Sequence, residues 1–282
     1  LSTLQISGLT TRVIAMLGSA KIAALDSAQV AALSTSQLAA LSSSGVAGLG
    51  TDDLANFSST ELAALNSRAL QALTTAQIAS LLSAQLTALS SGQIASLTTA
   101  QVAALNSSQI DGLSTAQIAA LGSAQIVALG NVNITTLSTE QIAALNSRAI
   151  GALTSAQLDA MTSDQIAALT SAQIAALSSS DVAALSASDL ETFSTNEFAA
   201  LTSAAIRGIS TSVISNLSTT LIAAMNTRAV AALASGQVAA MTSAQIASLS
   251  SAQIAALSST SVAALGSDDL STFDSADIAA LQ

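Results

Sequence analysis

The side chains best suited to chemistry in this sequence are carboxylates. They are densest in two acidic blocks, which consist of Asp52, Asp53 and Glu61 and of Asp268, Asp269, Asp274 and Asp277. Carboxylate oxygens are the ligands that Ca²⁺ takes, so one interpretation is a cation site. The other is structural, because carboxylates near helix N-termini favour the helix dipole and keep a chain soluble. No EF-hand or glycine-aspartate nonapeptide pattern is present, and we predict no metal site.

The rest of the composition argues against catalysis. The 282 residues include no His, Cys, Trp, Tyr or Pro, and the only Lys is Lys21. The chain therefore lacks an imidazole base, a thiolate nucleophile and the ligands of an ordinary zinc site. The adjacent Asp52 and Asp53 could do acid–base work in principle, but a thin repeat surface has no deep cleft to raise a carboxyl pKa. We expect no enzyme activity, no catalytic or cofactor-binding residue, no cofactor and no small-molecule substrate.

Charge and hydropathy restrict the partners further. The formal net charge of -10, with six basic residues against 16 acidic ones, repels nucleic acid and provides no basic patch. Apolar residues make up 51% of the chain, yet Ser, Thr or Gln interrupts every apolar run before it reaches the ~20 residues of a membrane-spanning helix. We expect neither a nucleic-acid partner nor a membrane span.

The elements that must position these side chains belong to an octapeptide repeat that covers the whole sequence. From Leu1 to Leu281 every eighth residue is large and apolar, which gives 35 octads and two further residues without an insertion or deletion. The consensus is L-[ST]-[ST]-A-Q-[IVL]-A-A, as in Leu113–Ala120. We number the positions of each octad as slots 1 to 8, with slot 1 at Leu1.

The variation among the octads predicts which slots are buried. Slots 1 and 6 are almost always large and apolar, so both should lie in the core. Slot 8 is small or short in nearly every octad, which indicates close approach of backbones. Slots 4 and 7 accept charged residues such as Arg68 and Asp159, and should face water.

Three structures compete to explain this period. Apolar residues spaced by five and then three positions would point to both faces of a β-strand, and one continuous helix would let the apolar stripe drift by ~80° per octad. Slot 2 favours N-cap residues, and the commonest residue at slot 5 is Gln, which together form the capping box Ser-x-x-Gln. We therefore predict an all-α fold, a solenoid or superhelix with one short capped helix of about six residues per octad. The alternative is a β-solenoid.

Such helices are far shorter than the ~12 to 15 residues that an isolated helix needs, so they must be stabilised by stacking. Slot 3 is Ser or Thr in nearly every octad. Its hydroxyl either forms a ladder of hydrogen bonds between octads or is solvated.

A second recurrence, with a period of ten octads, relates LNSRAL at Leu65, LNSRAI at Leu145 and MNTRAV at Met225. It indicates either duplication of a multi-octad segment or a structural superperiod.

The octads at Thr98–Leu105 (TTAQVAAL) and Thr170–Leu177 (TSAQIAAL) resemble octapeptide arrays in large secreted or surface-attached bacterial proteins, which are often classed as adhesin-like. The resemblance covers the whole chain and transfers no functional residue. It implies an extracellular, acidic repeat protein without cysteine.

The terminal octads look like interior ones, without the polar outer face of a capping repeat. We therefore interpret residues 1–282 as a single continuous array, either a segment of a longer chain or a filament subunit. The function we expect is that of an extracellular structural protein, a rod, stalk or self-assembling filament or sheath at a cell surface. Self-association would be head-to-tail or lateral. The alternatives are a cation-dependent adhesin spacer and an ice-binding Ser/Thr array.

Overall fold

The computed structural model describes residues 1–281, and in this part of the chain every octad contains one short α-helix. The chain forms two compact units, the first spanning Leu1–Leu145 and the second beginning at Asn146. The helices of the first unit are α1 Thr3–Ser7, α2 Thr11–Ala15, α3 Ser19–Ile22, α4 Ser27–Ala31, α5 Thr35–Ala40, α6 Ser43–Val46, α7 Thr51–Asn56, α8 Ser59–Ala64, α9 Ser67–Ala72, α10 Thr75–Ala79, α11 Ser83–Thr87, α12 Ser91–Ala95, α13 Thr99–Ala103, α14 Ser107–Asp111, α15 Thr115–Ala119, α16 Ser123–Ala128, α17 Gly130–Ile134 and α18 Thr139–Ala144.

The second unit continues the same arrangement. Its helices are α19 Ser147–Ile150, α20 Ser155–Ala160, α21 Ser163–Ala167, α22 Ser171–Ile174, α23 Ser179–Ala183, α24 Ala187–Leu190, α25 Thr195–Ala199, α26 Ser203–Ile206, α27 Thr211–Ile214, α28 Thr219–Ala224, α29 Thr227–Ala231, α30 Ser235–Ala240, α31 Ser243–Ala247, α32 Ser251–Ile254, α33 Ser259–Val262, α34 Ser267–Leu270 and α35 Ser275–Ala280. The prediction of one capped helix per octad is confirmed, and the β-solenoid alternative is wrong because residues 1–281 contain no strand.

The capping box begins the helix in the way the sequence predicts, as α13 shows. The backbone N–H of Gln101 donates to the hydroxyl of Thr98 at 3.2 Å, and the N–H of Thr98 donates to the Gln101 side-chain oxygen at 2.8 Å. The helix ends when the N–H of Leu105 donates to the carbonyl of Val102 at 3.2 Å. An extended N-cap residue then turns the chain into the next octad, as in Asn106 with φ -88° and ψ 167°.

Helices stack with a period of three in both units. In the first unit α2 packs against α5, α3 against α6 and α13 against α16, and in the second unit α23 packs against α26 and α32 against α35. Each unit is therefore a solenoid in which three helices, one from each of three successive octads, make a coil. Slots 1 and 6 supply the core, with side chains such as Val102 and Leu105 buried. Burial of each such side chain contributes roughly 1.5–3 kcal/mol, which stabilises helices too short to persist alone.

One octad departs from the extended N-cap conformation of the others. At residues 129–136 (LGNVNITT) the helix α17 follows α16 almost directly, and its N-cap Leu129 makes no side-chain capping bond. Gly130 has φ +72°, a left-handed conformation that favours glycine, and it makes the turn that Ser or Thr makes elsewhere. The capping prediction fails here because a backbone torsion replaces the side-chain hydrogen bond.

Candidate functional site: the surface between coils

The most regular polar feature of the structure is an amide bridge made by Gln at slot 5. In α13 the Gln101 side-chain oxygen accepts the capping N–H of Thr98, while its Nε2 donates to the carbonyls of Leu73 at 2.7 Å and Leu70 at 2.8 Å in the preceding coil. Gln101 is only 2% exposed. One side chain thus closes its own helix and joins it to the coil before it.

This bridge recurs with a constant separation of 28 residues between the amide and the slot 1 carbonyl. Further bridges are Gln29 to Leu1, Gln37 to Leu9, Gln77 to Leu49, Gln85 to Phe57, Gln93 to Leu65, Gln109 to Leu81, Gln117 to Leu89, Gln125 to Leu97 and Gln141 to Leu113 in the first unit, and Gln237 to Ile209, Gln245 to Leu217 and Gln253 to Met225 in the second. The acceptor is always a main-chain carbonyl, so the bond depends on the slot and not on the side chain that occupies it.

Asparagine replaces this bridge in two of the octads with the NSRA or NTRA sequence. There slot 5 is Ala, and the Asn at slot 2 performs both functions. The Asn66 side-chain oxygen accepts the N–H of Ala69 at 3.0 Å, and its Nδ2 donates to the carbonyl of Ala39 at 3.1 Å. Asn226 makes the equivalent bonds to Ala229 and Ala199. In these octads the amide therefore lies at slot 2 instead of slot 5, and the hydrogen bond to the preceding coil is kept.

Serine at slot 3 bonds to the following coil, which confirms the hydroxyl ladder for a set of octads. Ser83 Oγ, for example, donates to the carbonyl of Ser108 at 2.8 Å. In four octads the acceptor is instead the side-chain oxygen of an Asn or Asp at slot 5 of the following coil, as in Ser243 Oγ to Asp269 Oδ1 at 2.8 Å. Further donors are Ser43, Ser59, Ser107, Ser155, Ser163, Ser203 and Ser251.

The acidic blocks take part in these same bonds. Asp53 accepts the N–H of Gly50, and Glu61 accepts both the N–H and the hydroxyl of Ser58. In the second block Asp269 and Asp277 accept a capping N–H and a serine hydroxyl each, Asp274 caps α35, and Asp268 is exposed. Among residues 1–281 no three acidic side chains come together to hold a metal ion. The structure therefore supports the capping interpretation of these carboxylates.

Asp53 and Glu61 also line a small pocket between α4 and the segment α7–α8. Its volume is about 40 Å³, enough for a few water molecules, and Val30 and Phe57 form its apolar wall. Asp52, which the sequence places beside Asp53 as a candidate for acid–base chemistry, does not line it. Both pocket carboxylates already accept capping bonds, so they are positioned as helix caps.

One carboxylate has a shifted pKa. The backbone N–H of Glu140 and the hydroxyls of Ser138 and Thr139 hold the pKa of the fully exposed Glu140 carboxyl below its ordinary value. These donors stabilise the charged form, and they belong to the first turn of α18. The shift therefore reflects helix capping.

The repeat identifies the family of this chain. Ala72–Gln77 reads ALTTAQ, and the family model described as the ALTTAQ repeat matches eight segments, most of them overlapping a neighbour, that together cover more than half of the chain. The chain belongs to the ALTTAQ repeat family. The matched residues are 14–43, 46–83, 79–115, 99–131, 134–171, 156–187, 222–251 and 230–267. No curated protein matches the sequence.

Within the family motif, the Gln side chain has a role that the sequence interpretation only half anticipated. Gln at slot 5 was expected to complete the capping box, and it does so, but its burial and its donation to the preceding coil were not predicted. Two signals in the sequence point to them: the preference for Gln over acids that would cap equally well, and the pairing of Asn at slot 2 with Ala at slot 5. In residues 1–281 no buried side-chain nitrogen or oxygen lacks a hydrogen-bond partner.

Proposed function

We propose that this chain is a structural protein, and not an enzyme, that acts outside the cell as a rod, stalk or self-assembling filament or sheath at a cell surface. The observation that carries this proposal is the bonding between coils. The amide bridges recur in both units and end on main-chain carbonyls. A coil can therefore form these hydrogen bonds with another coil of the same repeat, whichever side chains occupy the other slots. An array of this kind extends by simple addition of octads.

The extracellular role rests on the resemblance of octads such as Thr170–Leu177 to the arrays of secreted or surface-attached bacterial proteins. The lack of Cys suits a secreted chain and a cytosolic one alike. No helix within residues 1–281 has the length and hydropathy needed to cross a bilayer; the longest contain six residues.

Antibody labelling of intact and permeabilised cells of the source organism tests the location. The expected result is equal labelling before and after permeabilisation, and removal of the signal by protease added to intact cells. Labelling that requires permeabilisation would overturn the extracellular role.

Small-angle scattering of the purified chain tests the structural role. A rod gives a maximum dimension several times its cross-section, whereas a particle of equal dimensions in all directions contradicts a rod or stalk.

A further inference from the structure

The amide bridges between coils are interrupted in the second unit, over two successive coils at residues 177–200 and 201–224. Slot 5 is not Gln in any of these octads; its residues are Asp181, Asp189, Glu197, Ala205, Val213 and Leu221. A carboxylate or an apolar side chain has no proton to donate. Slot 5 therefore cannot bind the slot 1 carbonyls 28 residues earlier, and we call residues 177–224 the bridge-free segment.

Fewer and more exposed hydrogen bonds join these coils to each other and to the coil before them. They are Ser155 Oγ to the carbonyl of Ser180 at 3.4 Å, Ser163 Oγ to Asp189 Oδ1 at 3.1 Å, and the N–H of Ser218 to Glu191 Oε1 at 2.5 Å. In the first unit, by contrast, the coil at residues 97–120 binds the coil before it through three buried amides, those of Gln101, Gln109 and Gln117. The bridge-free segment thus lacks the bonds that are most regular elsewhere.

Charge weakens the same contacts. Residues 153–200 contain six acidic side chains and no basic one. Three of these carboxylates, on Asp181, Asp189 and Glu197, lie at the slot that faces the preceding coil, and Asp181 is only 5% exposed. Like charges in two packed coils repel each other, and burial leaves that repulsion less screened by salt.

The coil after the bridge-free segment is joined to it by amides again. Gln237 and Gln245 donate to carbonyls of residues 209 and 217 at 2.7 and 2.6 Å. The first unit has one coil without Gln at slot 5, residues 41–64, but the next coil binds it through Gln77 and Gln85. In the bridge-free segment two contacts in succession lack the amides.

We propose that the bridge-free segment is a built-in opening point, which unwinds while the bridged coils remain folded. The stability of a repeat array comes from contacts between neighbouring repeats, and local opening begins where these contacts contribute least. A coil of three octads spans about 80 Å when fully extended, so a rod or stalk under tension would lengthen here first. This inference goes beyond the proposed function and concerns the fold, so cell-surface labelling does not bear on it.

Hydrogen exchange of the full chain, followed by mass spectrometry of peptic peptides, tests this opening. We expect the amides of residues 177–224 to exchange at least about tenfold faster than those of residues 97–120, a coil with amide bridges on both sides. Equal exchange rates in the two segments would overturn the opening point.

Installing amides in the bridge-free segment tests the cause. Asp189→Gln combined with Glu197→Gln places amides at the slot from which Gln elsewhere reaches a carbonyl 28 residues earlier, here those of Met161 and Leu169. Both positions also complete capping boxes, which Gln does elsewhere, so the variant should fold. We expect exchange of residues 177–200 to slow at least about fivefold.

The matched control is Glu140→Gln combined with Asp164→Asn, which removes two negative charges at exposed slot 4 positions and adds no amide at slot 5. It should leave the exchange of residues 177–200 within about twofold of the parent chain. If the variant with new amides exchanges no more slowly than this control, the missing bridges do not cause the opening and the proposal is wrong.

The reverse change tests the same cause in a bridged coil. Gln245→Glu keeps the size of the side chain and its capping oxygen but removes the donor to the carbonyls of Ile214 and Leu217. We expect exchange of residues 233–256 to accelerate at least about threefold. Unchanged exchange there would also overturn the proposal, because loss of a bridge would then not promote opening.

Discussion

The Gln side chain at slot 5 acts at two levels because its two polar atoms have different partners. The oxygen completes a capping box within the octad, and the nitrogen donates to the coil before it, as Gln101 shows. A carboxylate at the same slot accepts the capping N–H equally well but has no proton to donate. Its bond to the preceding coil runs in the opposite direction, as where Asp269 accepts from the Ser243 hydroxyl.

Removal of one interior amide should destabilise the array. Gln101→Met keeps the length of the side chain but leaves the carbonyls of Leu70 and Leu73 without their donor and the N–H of Thr98 without its acceptor. We expect the free energy of unfolding, measured by urea denaturation, to fall by about 2–3 kcal/mol. Gln5→Met is the control, because the exposed Gln5 makes the capping bond alone; a loss of equal size in both variants would contradict a role between coils.

The converse substitution should stabilise. Asp181 is 5% exposed and accepts the capping N–H of Ser178, but it cannot donate to the carbonyl of Leu153, the slot 1 residue that a Gln in its place would bind. Asn reaches the equivalent carbonyl from slot 5, since Asn133 Nδ2 donates to Leu105 at 3.0 Å. Asp181→Asn should therefore raise the free energy of unfolding by about 0.5–1.5 kcal/mol, as measured by urea denaturation.

The matched variant for this prediction is Asp164→Asn, which removes the same charge at an exposed slot 4. It should change the free energy of unfolding by no more than about 0.5 kcal/mol. If the two variants have equal effects, the gain in unfolding free energy for Asp181→Asn comes from the smaller negative net charge and not from a new hydrogen bond.

At the scale of the helix, the sequence predicts local structure well and stacking poorly. The cap at Thr98, the burial of Val102 and the end of α13 before Leu105 follow from residue types that interact within four positions. The number of helices per coil depends on the backbone angles of the extended residues between helices, and Ser, Thr and Asn adopt these angles alike. The octad repeat thus specifies each helix without specifying that helix n packs against helix n+3.

The turn at Gly130 and the burial of the slot 5 amides could not be predicted from the sequence either. No residue type near Gly130 indicates that its turn has a positive φ, because Gly at slot 2 also occurs in ordinary extended N-caps such as Gly122. The burial of Gln101 cannot be predicted from its neighbours in the sequence, because it depends on a carbonyl 28 residues earlier in the chain. What the sequence does predict at this distance is the small residue at slot 8, where backbones approach.

The close approach at slot 8 gives a prediction at the scale of the element. A Cβ added at Gly208 would overlap the carbonyl oxygen of Ser179 in the preceding coil, so Gly208→Ala must displace backbone. We expect it to lower the free energy of unfolding by about 1–3 kcal/mol. Gly236→Ala, inside α30 of the same unit, meets no atom within 4 Å and should instead stabilise by about 0.5–1 kcal/mol. Similar melting temperatures for the two variants would contradict tight contact between coils at slot 8.

At the scale of the whole molecule, the bonds between coils are interchangeable. The Gln bridges end on slot 1 carbonyls, and the core residues at slots 1 and 6 are nearly all aliphatic. A repeat array of this kind has a stability that sums the contributions of neighbouring repeats. Its length should therefore be adjustable in whole octads, although each helix would change its stacking partner.

Deletion of one octad tests this interchangeability against deletion of half an octad. Removing residues 113–120 moves Gln125 into the place of Gln117, so it can bind the carbonyl of Leu89 and form a bridge again. Removing residues 117–120 instead aligns Gln125 with Gln93, whose carbonyl lies inside α12. The first variant should keep the helical ellipticity per residue and a single thermal transition, and the second should melt at lower temperature with lower cooperativity. Equal behaviour of the two would mean that stacking does not require the octad register, because only the shorter deletion interrupts it.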